Sequence, residues 1–168
     1  MICSKARRVT LAVLLVLVAR LSMNSATRAT TQQPDPPSDA GRFGTVELFV
    51  DPRGQSLAAY QVEFVADPQR VTLVGVEGGE HPAFKEPPYY DPKALAGNRV
   101  ILAALSTGAD LPSARTRVAT LHVRITGRRD DAPDWSAKLE AAGNPQGQAI
   151  PADVSVSAGA GANPEGVK

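Results

Sequence analysis

The sequence predicts an all-β fold, a single β-sandwich, and three observations predict it. Apolar residues recur at a period of two far more often than at 3.6. Residues suited to tight turns separate these stretches at short, regular spacing. Helix signals are nearly missing, the best being a single turn over 92–95, with Asp91 placed to cap it and Pro92 to open it.

The patterned region is preceded by an export signature. Lys5, Arg7 and Arg8 stand before an apolar run over 9–19, followed by Arg20 and a small, polar stretch ending Ala26-Thr27-Arg28-Ala29. Eleven residues fall short of the ~20 that a spanning helix needs, which favours cleavage near Ala29 over retention as an anchor. The mature protein is expected to be secreted or periplasmic, with no stable membrane span.

Cleavage at that point removes five of the 18 basic residues and none of the 17 acidic ones, leaving a charge of −4. A mildly acidic chain lacks the basic stripe that phosphate neutralisation needs, which argues against nucleic acid as a partner. The single cysteine, Cys3, leaves with the signal, so the mature domain has no internal disulfide or thiolate metal site. Residues 30–41, rich in Thr, Gln and Pro, read as a disordered linker, and 157–168, mostly Gly, Ala and polar residues, as a disordered tail. The folded unit is expected over 42–156.

Within it, Val46, Leu48 and Val50 alternate with Glu47 and Asp51, and Tyr60, Val62 and Phe64 alternate with Gln61 and Glu63, the pattern of half-buried strands. The runs 71–76 and 100–105 are nearly continuous and apolar, as expected of strands covered on both sides or lying in the sandwich core. The clearest strand is 117–126, with Ala119, Leu121, Val123 and Ile125 on one face and Thr120, His122, Arg124 and Thr126 on the other. A weaker strand is expected over 138–142 and a final one over 149–156. Turns fall at Asp51-Pro52-Arg53-Gly54, Asp67-Pro68-Gln69, Gly78-Gly79 and Gly97-Asn98, and across 108–112.

The segment Tyr60-Gln61-Val62-Glu63-Phe64-Val65-Ala66-Asp67-Pro68, with a strand like 45–51 before it and strands like 100–105 and 118–125 after it, resembles the cohesin domain family and related carbohydrate-binding modules. The likeness covers about 44–127. It implies a jelly-roll-like β-sandwich whose flat sheet face binds a protein partner, a dockerin-like module or another, or in the carbohydrate-binding relatives a glycan. The stretch 78–97 has no counterpart in the resemblance, and no partner-contact residue is carried over from it.

Candidate site residues concentrate in 78–92, which places Phe84, Tyr89 and Tyr90, three of the eight aromatic residues, on a proline-rich loop. A stiff aromatic loop loses little entropy on binding and suits a peptide or a sugar. The alternative is that it folds over one end of the sandwich and buries Phe84 and one tyrosine. Trp135 is a binding platform or a core anchor.

His81 with Glu77, Glu80 and Asp91 matches no strong metal motif, and Asp130, Asp131 and Asp134 match no calcium loop, so no metal or cofactor is expected. His122 reads as a surface residue of a solvated sheet face. Nucleophile-elbow, phosphate-loop, metalloprotease and dinucleotide motifs are missing, and Glu77 and Glu80 are the one carboxylate pair that a glycosidase reading has to draw on. The expectation is a non-catalytic binding module, taking a protein or, alternatively, a glycan through Phe84, Tyr89, Tyr90 and Trp135.

Overall fold

The computed structural model describes residues 41–128 and 132–162. Seven strands form where the alternation is strongest: β1 (Arg42–Asp51), β2 (Ala59–Ala66), β3 (Val71–Gly78), β4 (Arg99–Leu105), β5 (Thr116–Ile125), β6 (Trp135–Gly143) and β7 (Asp153–Ala158). The two short helical pieces are 3₁₀ turns, Pro82–Phe84 and Pro92–Ala94. The second is the expected turn, with Asp91 accepting a hydrogen bond from the Lys93 amide. Among the described residues no helix is long and apolar enough to cross a membrane.

The strands make two antiparallel sheets, ordered β3-β5-β1-β7 and β4-β2-β6. Odd strands belong to the first sheet and even strands to the second, so every connection crosses from one sheet to the other. The inward rows of both sheets meet in one apolar core, including Val46, Leu48, Val62, Phe64, Leu102, Leu121 and Val123, all fully buried. The chain is an all-β sandwich, as its alternation predicts.

Three irregularities depart from simple alternation. In β5 the partner register jumps from Leu48↔Ala119 to Phe49↔Arg117, skipping Val118. Val118 and Ala119 are therefore both fully buried, and the row facing the core changes phase at this bulge. Similar steps leave out Val74 in β3 and Glu140 in β6.

Several expectations need correction. Of the two alternatives for β3 and β4, one row of each lies in the sandwich core, but neither strand is covered on both sides: each is a sheet edge, with Val74 42% and Ile101 40% exposed, because their apolar runs supply both the core row and part of an outer face. β6 starts at Trp135, well before 138, since its ladder with β2 extends to Ala66↔Trp135. β7 begins at Asp153, because Ala149 and Ile150 pair instead with the end of β6, Ile150 donating to the Ala142 carbonyl at 3.0 Å.

The folded unit also runs past 156. Ser157 and Ala158 belong to β7, the Thr45 amide donates to the Ala160 carbonyl, and Ala162 is 1% exposed against Gly44. A Cβ at Gly44 would lie 2.6 Å from the Ala162 nitrogen, so this close approach needs glycine. The export signature, the linker up to residue 40, Asp130, Asp131 and the last six residues lie outside the described residues.

Candidate functional site

The connection from β3 to β4 carries most of the candidate residues, and glycine sets its start. A Cβ at Gly78 would fall 1.9 Å from the Lys85 carbonyl oxygen, and one at Gly79 2.1 Å from that of Arg117. The chain can therefore fold back against its own strand and against β5. The Gly79 amide donates to the Phe84 carbonyl at 2.7 Å and the Glu80 amide to the Arg117 carbonyl at 3.0 Å. His81 Nδ1 accepts from the Ala83 amide and opens the first 3₁₀ turn.

That turn aims Phe84 inward. Its ring is 3% exposed and meets Tyr60 edge to face, with centroids 5.2 Å apart and planes at 71°. Tyr60 is itself buried and donates its hydroxyl to the Val118 carbonyl at 3.0 Å, satisfying the residue that the β5 bulge leaves out of the β1 ladder. Burial pushes the Tyr60 phenol well above its ordinary pKa. Phe84, expected among the ligand-binding residues, is thus a core residue; the alternative, a loop folding over the sandwich, describes this half.

The second half of the loop behaves differently. Tyr89 exchanges two backbone hydrogen bonds with Ala103, of 2.8 and 2.9 Å, and so adds a single bridge to the β4 edge. Residues paired in this way project to the same side of a sheet. That side is the outer one, because Val100 and Leu102, which alternate with Ile101, Ala103 and Leu105, are buried. Tyr89 is 85% exposed there and Leu105 72%. Tyr90, the next residue, is partly buried against the core.

The outer face of the three-stranded sheet accordingly carries one apolar row along β4. Tyr89 stands opposite Ala103, with Ile101 and Leu105 two residues to either side and Ala59 paired to Leu105 on β2. A shallow depression of about 310 Å³ among Pro87, Pro88, Tyr89, Tyr90 and Pro92 lies at the tyrosine. At the other end a cavity of about 470 Å³ is lined by Ala58, Ala59, Leu105, Ala141, Pro145 and Ala149. The Glu63–Arg99 and Lys138–Glu140 ion pairs border the row with charge.

The opposite sheet presents a mainly polar outer face, with Phe43 69% exposed near the start of β1. Arg117 pairs with Glu47 at 2.8 Å, and His122 Nε2 lies 3.0 Å from Glu77 Oε1, an approach too oblique for a directed hydrogen bond and attractive when the imidazole is protonated. His122 is thus on a solvated sheet face, as its alternation implies. A depression of about 630 Å³ runs along this face between Lys85 and Ala160. Phe49 on the same face stacks beneath the Arg115 guanidinium, 3.7 Å from the ring centroid.

The residues considered for metal binding or hydrolysis are spread among separate tasks. Glu77 faces His122, while Glu80 accepts from the Arg117 amide and the Thr116 hydroxyl at 2.9 and 3.3 Å. His81 and Asp91 each open a 3₁₀ turn. Asp134 uses its carbonyl to accept from the Asp67 amide. No three metal-ligating side chains converge among the described residues. Trp135 starts β6 and is partly buried against the core, the anchor alternative.

Of the four ligand-binding candidates, only Tyr89 projects freely into solvent. The exposed Ile101 and Leu105 do not stand out in the sequence, because the apolar run 100–105 reads as interior although every second side chain of it lies outside. No family model, curated protein or solved structure matches the chain.

Proposed function

We propose that the chain is an exported, non-catalytic binding module that docks a protein partner on the outer face of its three-stranded sheet. One observation carries the reading: the Tyr89 backbone is held by two hydrogen bonds at the edge of β4, and its side chain is 85% exposed beside the row Ile101, Ala103 and Leu105. A backbone already fixed in place leaves only the side-chain torsions to be ordered on binding, and Tyr is favoured at such contacts. An exposed apolar row with one aromatic anchor and charged neighbours suits a protein, which is also what the cohesin resemblance implies.

The glycan alternative calls for coplanar exposed rings, and it is less well supported. Phe84 is in the core, Tyr90 and Trp135 are partly buried, and the other exposed ring, Phe43, belongs to the opposite sheet. A glycosidase reading calls for facing carboxylates across a cleft, and Glu77 and Glu80 are each engaged elsewhere.

The test is affinity capture from the extracytoplasmic fraction of the source cells, with the full chain, Tyr89→Ala, Leu105→Asp and Phe43→Ala as baits. A protein retained by the full chain and Phe43→Ala but lost from Tyr89→Ala and Leu105→Asp is the expected result. Equal retention by all four baits overturns the assignment of the face, and a glycan array bound through Tyr89 with no protein captured would replace the protein reading.

A further inference from the structure

A sheet edge presents a row of backbone N–H and C=O groups that pair readily with another strand, and proteins usually blunt such edges. This sandwich has four. On β3, Val74 bulges out, and Leu73 donates to the Gly97 carbonyl and accepts from the Ala96 amide. On β4, Tyr89 takes both groups of Ala103. On β6, Glu140 bulges, Lys138 and Glu140 add charge, and Ala149 and Ile150 cover the end.

β7 has none of these devices. Its ladder with β1 runs from Val46↔Ala158 to Asp51↔Asp153 without irregularity. Its sequence, Asp153-Val154-Ser155-Val156-Ser157-Ala158, has no proline or lysine, and its one charge is tied to Arg53. The ladder's phase is set where the Gly159 amide donates to the Thr45 carbonyl, 2.8 Å away. Antiparallel pairs alternate, so Ser157, Ser155 and Asp153 direct their backbone groups to β1. Those of Val154, Val156 and Ala158 point outward, and no partner takes them among the described residues.

We propose that β7 pairs antiparallel with β7 of a second copy of this chain, about a two-fold axis at Val156. In that register Val156 meets its own counterpart and Val154 meets Ala158, so every outward backbone group of the strand is satisfied. The strand is complementary to itself: Ser155 faces Ser157 of the other copy, and Asp153 falls opposite Gly159, so no carboxylate meets its like. Val154, Val156 and Ala158, packed on the core yet only partly buried, gain cover from the added strand. The two four-stranded sheets become one continuous sheet through an isologous contact. Pairing through one short edge makes a small interface, and the dimer is accordingly concentration-dependent.

Sedimentation velocity on protein expressed from the full 168-residue chain, from about 1 to about 500 μM, covers the affinities expected of so small a contact. The expected result is a shift from monomer to dimer across that range. Val156→Pro removes an outward N–H without touching the β1 ladder, and the variant stays monomeric with an unchanged circular dichroism spectrum. Ser155→Lys with Ser157→Lys sets lysine against lysine across the axis, whereas Ser155→Glu with Ser157→Lys sets glutamate against lysine.

Both serines are exposed and off the core, so these two double variants keep the test decisive even if the proline variant unfolds. Their dimer dissociation constants are expected to differ by at least about tenfold, the Glu/Lys pair being the tighter. A wild-type chain that is monomeric throughout overturns the proposal, as do double variants that dimerise equally.

Discussion

The loop between β3 and β4 has two halves, each with proline and aromatic residues, in which Phe84 and Tyr89 meet opposite fates. Over 79–84 its amides and carbonyls bond back to the loop and to β5, and the turn they create drives Phe84 against Tyr60. Over 87–91 the backbone bonds sideways to the β4 edge instead, and the same kind of side chain is left outside. For Phe84 and Tyr89, the direction in which the backbone is satisfied thus separates core from surface. Ring type alone does not.

The sharpest way to break this contrast is to truncate both rings. Phe84→Ala is expected to cost about 3–5 kcal/mol, since it removes a buried aromatic and leaves a cavity beside Tyr60. Tyr89→Ala is expected to stay within about 0.5 kcal/mol of the parent, and on the proposed function to lose partner binding instead. Urea unfolding of the two variants measures the difference, and similar costs would remove the distinction between the halves.

A smaller effect probes what lies beneath Phe84. Tyr60→Phe keeps the ring contact but leaves the Val118 carbonyl without its donor, at about 1–2 kcal/mol near neutral pH. The phenol also gives the stability a pH dependence. Its folded pKa is raised above the unfolded value of about 10, so its contribution is complete below that pH and is lost as the pH rises. Denaturation at about pH 8 and about pH 11 should therefore show a steeper alkaline loss in the parent than in Tyr60→Phe.

The smallest effect is expected far from either ring, where a pair contributes in full solvent. Arg53 holds the Asp153 carboxyl below its ordinary range, so this pair adds stability above the usual carboxylate pKa and loses it as the pH falls through the lowered value. Asp153→Asn should lower the melting temperature slightly at neutral pH and flatten its decline in acid. Scans at about pH 7 and about pH 3 check this against the larger changes at the loop.

Strands β1, β2 and β5 are legible from their sequences because one face is buried and the other wet, which is what alternation encodes. The bulge at Val118 is not, since it depends on a register chosen jointly by β1 and β5. β7 carries a clean Val-Ser-Val-Ser alternation, yet its start is displaced because Ala149 and Ile150 find partners on β6 that no local pattern announces. At the candidate site, the sequence marks the aromatic loop as a unit. Which ring turns outward follows from Ala103, which lies on the next strand.

The alternation of successive strands between the two sheets bears on how the chain reaches its native state. Among the described residues no hairpin joins neighbouring strands of one sheet, and Arg42 pairs with Ile125 and Val46 with Ala158. No ladder can therefore zip up locally as a nucleus. Chains dominated by such distant pairings fold on the millisecond-to-second scale, not in microseconds. Strand β1 has to await β7 before its place in the sheet is complete, so this sandwich is expected to acquire its structure late, and largely all at once.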